Sequence, residues 1–146
     1  MKIVITCIDG SVQVMTVING ANVNECLEKW ADVNQDKYES HREMSDDAIP
    51  SDREFREAWA DTTPEPVIDI CMEKARGIHL SRIRAKRNAE LAKLDIDATK
   101  AQDIGDDVEL AQVRARKQEL RDFPEIIAPA LQAAETIEEL KLIVLT

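Results

Sequence analysis

Apolar residues open the chain in two short runs, Ile3-Val4-Ile5-Thr6 and Val12 through Val17, with Asp9-Gly10 between them. Asp-Gly tolerates positive φ at a tight reversal, so the pattern predicts a β-hairpin with one apolar face. Val23, Cys26, Leu27 and Trp30 then recur at i, i+3, i+4 and i+7 behind Asn22, a helix-capping residue type. That spacing predicts an amphipathic helix able to cover the hairpin. Tyr38 to Met44 alternates weakly and predicts a third, exposed strand.

Asp46 through Pro50 reads as a loop. Asp52 is placed to cap a short helix over Arg53–Trp59, with Phe55 and Trp59 one turn apart as its anchor. Thr62-Thr63-Pro64-Glu65-Pro66 is the clearest break, because its two prolines remove donors and push their predecessors out of helical geometry. An internal boundary is therefore expected there, with a small α+β module over 1–63 and a helical module over 64–146.

From about Ile70 to Asp103 the pattern predicts one long helix, ended by Gly105 at a position suited to a left-handed cap. Leu80, Ile83, Leu91, Leu94, Ala98 and Ala101 fall on one face of it. Cys71, Ala75, Ile78, Ala85, Ala89, Ala92 and Ile96 fall on a nearly opposite one. Two apolar faces call for two packing partners. A second helix over about Asp107–Arg121 can fold back through Ile104-Gly105-Asp106, forming an αα-hairpin. At 1.5 Å per residue it would span ~22 Å against ~50 Å, leaving the stretch from Ile78 to Ile83 to residues 53–70 or to another protein. Phe123-Pro124 then opens a short irregular stretch, and Thr136 to Glu139 has the spacing of a capping box before a last short helix. The fold class that follows is α+β: a small N-terminal antiparallel sheet with a covering helix, then a long-helix hairpin.

At 146 residues with 44% hydrophobic and 33% charged positions, the chain is long and apolar enough to build a core. Its formal charge of -10 is uneven: residues 1–66 carry 6 Lys/Arg against 14 Asp/Glu, and residues 67–146 carry 13 against 15. The acidic half repels phosphate backbones and anionic lipid, so neither nucleic acid nor membrane is expected as a partner. Cys7, Cys26 and Cys71 form an odd set without C-x-x-C spacing and read as small buried hydrophobes in a reducing compartment. The opening apolar run is far shorter than a signal segment, and no stretch approaches the ~20 apolar residues of a membrane helix.

Candidate chemistry is sparse. His41 and His79 are the only histidines and have no ligand-type partner at i+4, so no metal site is expected. Asp103, Asp106 and Asp107 lack the alternating ligands of a calcium loop and read as helix caps. The four glycines are isolated from one another, which excludes phosphate-cradling loops, and no Ser stands in G-x-S-x-G. Thus no catalytic residue and no cofactor is expected. The basic run Lys74, Arg76, Arg82, Arg84, Lys86, Arg87 rings its helix instead of lining one stripe. Ion pairing with the acidic half accounts for it best, ahead of docking on an acidic partner or on nucleic acid.

Four segments carry a resemblance: Asp52 to Trp59, Lys74 to His79, Arg84 to Asn88 leading to Leu91 and Leu94-Asp95, and Lys117 to Pro124. Together, over residues 52–124, they resemble small proteins encoded beside the tail genes of tailed bacteriophages. The resemblance implies a virion structural protein of the tail region, an adaptor or fibre-connecting subunit. It would be made in the host bacterial cytoplasm and work by packing on other phage tail or fibre proteins, or on copies of itself. The alternative is a tail-fibre assembly chaperone that leaves the particle. Such chaperones often close on a Trp- and Pro-rich end, whereas this chain closes on Leu140-Lys141-Leu142-Ile143-Val144-Leu145. Neither reading brings an enzyme activity. The expected partner-binding residues are Phe55, Trp59, Ile78, Leu80, Ile83, Arg84 and Arg87.

Overall fold

In the computed structural model, which describes residues 1–18, 20–62 and 67–145, strand β1 (Lys2–Cys7) turns back into β2 (Val12–Thr16). The reversal takes the Asp9-Gly10 pair. Gly10 adopts φ +71°, and its N–H donates to the Cys7 carbonyl at 2.8 Å. A side chain there would force the left-handed region that L-residues avoid. Helix α1 (Val23–Val33) follows, capped by the Asn22 side chain, which accepts from the Asn24 N–H. Strand β3 (Tyr38–Met44) then pairs antiparallel with the other side of β1, giving the order β2-β1-β3.

The expected single apolar face is a correction: Ile3, Val4 and Ile5 on the central strand are all fully buried, so the sheet is covered on both sides. Ile3, Ile5, Val17 and Leu27 form one cluster, with Met15, Val23, Trp30 and Tyr38 packed around it. This is the layer under α1. Val4, Met44, Trp59 and Ile68 form the other, joined by Val12 and Val14. Residue alternation along β1 sorts the two sets, since odd and even positions point to opposite faces.

The second layer is built differently from the helix expected over Arg53–Trp59. Only Arg56–Ala58 makes a single tight turn, and Trp59–Asp61 forms strand β4, paired antiparallel with β5 (Ile68–Ile70). The ladder continues one step further, Cys71 N–H donating to the Ala58 carbonyl at 2.8 Å. Strand geometry prevails because it buries Trp59 and Ile68 together against Val4. The boundary expected at 63/64 lies outside the described residues. The chain divides into two compact units, 1–75 and 76–146, the border falling within the first turns of the long helix.

That helix, α2 (Met72–Ile104), ends as its sequence predicts. Gly105 has φ +71°, the Asp106 N–H reaches back to the Ala101 carbonyl at 2.9 Å, and the Gly105 N–H to Gln102 at 3.2 Å. These two bonds satisfy carbonyls the helix end would otherwise orphan. Asp106 also caps the next helix, accepting from the Glu109 N–H at 2.9 Å.

Helix α3 runs from Asp107 to Ala133, through Pro124 and Pro129, and corrects the expectation that it stops near Arg121. Leu110, Val113, Lys117, Leu120, Pro124, Ile127, Leu131 and Ala134 are all at least half-buried, at alternating steps of three and four. A period of 3.5 is that of a seam between two supercoiled helices. Each interior proline costs roughly 3 kcal/mol against alanine. Burying Ile127 and Leu131 returns roughly 1.5–3 kcal/mol each, and the same seam leads on to buried Ala134, Ile137 and Leu140. At ~40 Å, α3 matches most of the ~50 Å of α2, so its coverage is well beyond half. A last helix, α4 (Ile137–Leu142), begins at the expected cap, Thr136 Oγ1 accepting from Glu139 N–H at 3.2 Å.

Within the second unit the start of α2 is engaged by the chain's own end. Arg76 donates to the Ala134 carbonyl at 2.7 Å, and His79 Nε2 lies 2.8 Å from the Ile143 carbonyl oxygen. Ile83 is buried, while Ile78 and Leu80 are half-buried.

Candidate functional site

The seven residues singled out in the sequence fall into both units. Phe55 (1% exposed) and Trp59 (4%) are core residues of the first, and Ile83 (3%) is one of the second. Ile78 and Leu80 are half-buried on α2, Arg87 is half-buried and donates to its neighbour Asn88, and Arg84 is exposed. Of the seven, Arg84 is the one with a fully presented side chain.

The two apolar faces of α2 have different fates. Leu80, Ile83, Leu91, Leu94, Ala98 and Ala101 are half-buried or buried against the hairpin partner, with Lys117 of α3 salt-bridged to Asp95 beside them. On the other face Ala85, Ala89, Ala92 and Ile96 are all exposed, Ile96 to 58%. Their spacing of four, three and four puts them in line along the helix, with small side chains that let another backbone approach closely.

In the first unit a cavity of about 470 Å³ opens beside β2, lined by Ser11 to Val14 on one side and by Arg53, Arg56, Glu57 and Trp59 on the other. The 53–59 segment sits there because Asp52 and the tight turn at Arg56–Ala58 steer the chain from the loop into β4. Asp52 Oδ1 accepts from Glu54 N–H at 2.9 Å. Trp59 Nε1 is buried without a hydrogen-bond partner among the described residues. At the turn end of β2, Asp9 accepts from the Ser11 hydroxyl and from its N–H at 2.8 Å, which holds the Asp9 carboxyl below the usual aspartate range despite a small opposing desolvation.

A polar cluster that the sequence did not signal joins the layers of this unit. Arg42 on β3 grips the Asp61 carboxylate of β4 through Nε at 3.1 Å and through Nη2, and the Thr6 hydroxyl on β1 donates to the same carboxylate at 3.1 Å. The Asp61 side chain is only 8% exposed. These residues lie 19 and 55 positions apart, and nothing local in the sequence links them.

His41 Nδ1 is 2.7 Å from the Tyr38 hydroxyl, which itself sits edge-on to Trp30. The three cysteines are free thiols, Cys7 buried and the other two half-buried. Among the described residues, no three His, Cys, Asp or Glu side chains converge on a point where a metal ion would sit. No helix among them is long and apolar enough to cross a membrane. Among the described residues, two surfaces stand out: an exposed helical seam in one unit and a strand-edge groove in the other. No family model, no curated protein and no solved structure matches this chain.

Proposed function

We propose that this chain is a non-enzymatic structural subunit of a bacteriophage tail region, an adaptor that joins larger proteins by packing. The observation that carries the reading is the exposed seam Ala85, Ala89, Ala92, Ile96 on a helix of 33 residues whose opposite face is already occupied. A helix hairpin whose seam is filled by α3 gains nothing internally from a second aligned apolar row; a partner helix packed on it would bury that row. The likeness of residues 52–124 to small tail-gene neighbours supplies the biological setting.

Two measurements test this. Mass spectrometry of purified phage particles should find the chain as a stoichiometric component; presence in infected cells with absence from particles would favour the assembly-chaperone alternative. Replacing Ala89 and Ala92 together with Glu, both exposed, should leave the helical circular dichroism intact and abolish incorporation into particles. Normal incorporation of that variant would remove the seam from the account.

A further inference from the structure

Gly77 stands inside α2 where the packing gives no reason for glycine. Gly10, Gly20 and Gly105 each take positive φ, whereas Gly77 lies within the helix, and a Cβ built on it would meet nothing within 4 Å. Neither a left-handed turn nor the close approach of another segment calls for it. An exposed glycine at such a place lowers the local helix population about fivefold against alanine, because its backbone gives up more freedom on folding. No contact at that position returns the cost.

The glycine falls where the anchoring of α2 changes over. Before it, the chain is tied to the first unit: the Cys71 N–H extends the β4–β5 ladder to Ala58 at 2.8 Å, Lys74 Nζ donates to the Gly10 carbonyl at 3.3 Å, and Ala75 is fully buried. The border of the two units lies between Ala75 and Arg76. Beyond it, Arg76 donates to the Ala134 carbonyl and the buried His79 is bonded to the Ile143 carbonyl, both in the second unit. The Arg76 contact is made by the tip of a long side chain, which can follow a change in its own backbone. What carries the helix across the border is the set of backbone bonds from the N–H groups of 76–79 to the carbonyls of 72–75, and Gly77 sits in the middle of it.

We infer that α2 is hinged at Gly77: the helix yields there, and the units 1–75 and 76–146 turn about it as separate bodies. Glycines are among the few causes of a sharp bend in a long helix, and a hinge needs only a few residues able to absorb a large change in φ and ψ. The site of yielding is set by coincidence of two independent features, a helix-weakening residue and the end of one core. A hinge there presents whatever each unit holds at a variable angle. The inference stands whether or not the protein belongs to a phage tail, and whether or not the α2 seam docks a partner.

The test uses the full isotope-labelled chain, weakly aligned in a stretched gel, so that residual dipolar couplings report the degree of order of each unit separately. The two units of the native protein should differ in order, and Gly77→Ala should bring the two values together. The same substitution should slow amide exchange at Ile78, His79 and Leu80 by about fivefold, with the amides of β1 and α3 unchanged. Ala89→Gly is the control, because it sets an equal glycine penalty in the same helix but well inside the second unit. It should speed exchange around position 89 and leave the order difference between the units as in the native protein. A single common order for both units of the native protein overturns the inference, as does exchange at Ile78 to Leu80 that ignores Gly77→Ala. So does an Ala89→Gly chain whose units change in relative order as much as those of Gly77→Ala, which would make the freedom a property of α2 as a whole.

Discussion

Asp61 accepts two donors from Arg42 and one from Thr6 in a setting where water is nearly excluded. Breaking a buried pair by removing one partner is costly because the other charge stays desolvated. Arg42 keeps 24% of its side-chain exposure, which moderates that cost. Asp61→Ala is therefore expected to destabilise the first unit by about 2–3 kcal/mol in urea unfolding. Glu25→Ala, which removes the exposed pair with Lys29 on α1, should stay within about 0.5 kcal/mol. Similar losses for both would mean the Asp61 cluster is an ordinary surface contact. At this scale the caps were legible from the sequence, since Asn22, Asp106 and Thr136 each bond a backbone N–H within three residues. The Arg42–Asp61–Thr6 cluster was not, because only the assembled layers bring those side chains together.

The elements divide along the same line. Strand β3 and helices α1 and α2 follow from periodicity, because each is long enough for its pattern to repeat. Strands β4 and β5, at three residues each, are too short to show an alternation. Phe55 and Trp59, four apart, mimic a helical pair although their burial comes from a turn and a strand. In α3 the proline rule misleads: a 3.5-residue seam continues through Pro124 and Pro129 because the apolar positions beyond them are worth burying. The prolines carry a stored cost. Pro129 is exposed and lacks the N–H that would reach the Glu125 carbonyl, so Pro129→Ala should stabilise the hairpin by about 1–3 kcal/mol. Helical circular dichroism during urea titration reads this directly. An unchanged midpoint would show that the helix is not opposed by its proline.

Over the whole molecule, charge and architecture are partitioned together. The unit 1–75 holds 7 Lys/Arg against 16 Asp/Glu, whereas 76–146 holds 12 against 13. This imbalance was visible in the sequence, yet the unit border was not, since α2 is continuous across it. A helix pattern gives no mark where one core ends and another begins. The imbalance has an energetic consequence. Excess like charge raises the free energy of a compact state, and salt relieves it once the Debye length falls from roughly 30 Å at 0.01 M to roughly 10 Å at 0.1 M. Sodium chloride over that range should therefore slow amide exchange several-fold in β1, β2 and β3. Amides of α3 should change little, because the second unit is near neutrality and its pairs, such as Lys93–Glu90 and Arg116–Glu119, are exposed and individually weak. Peptide-level hydrogen exchange at matched pH separates the two responses. A uniform slowing across both units would show that their stabilities respond as one and that local charge excess does not set the difference.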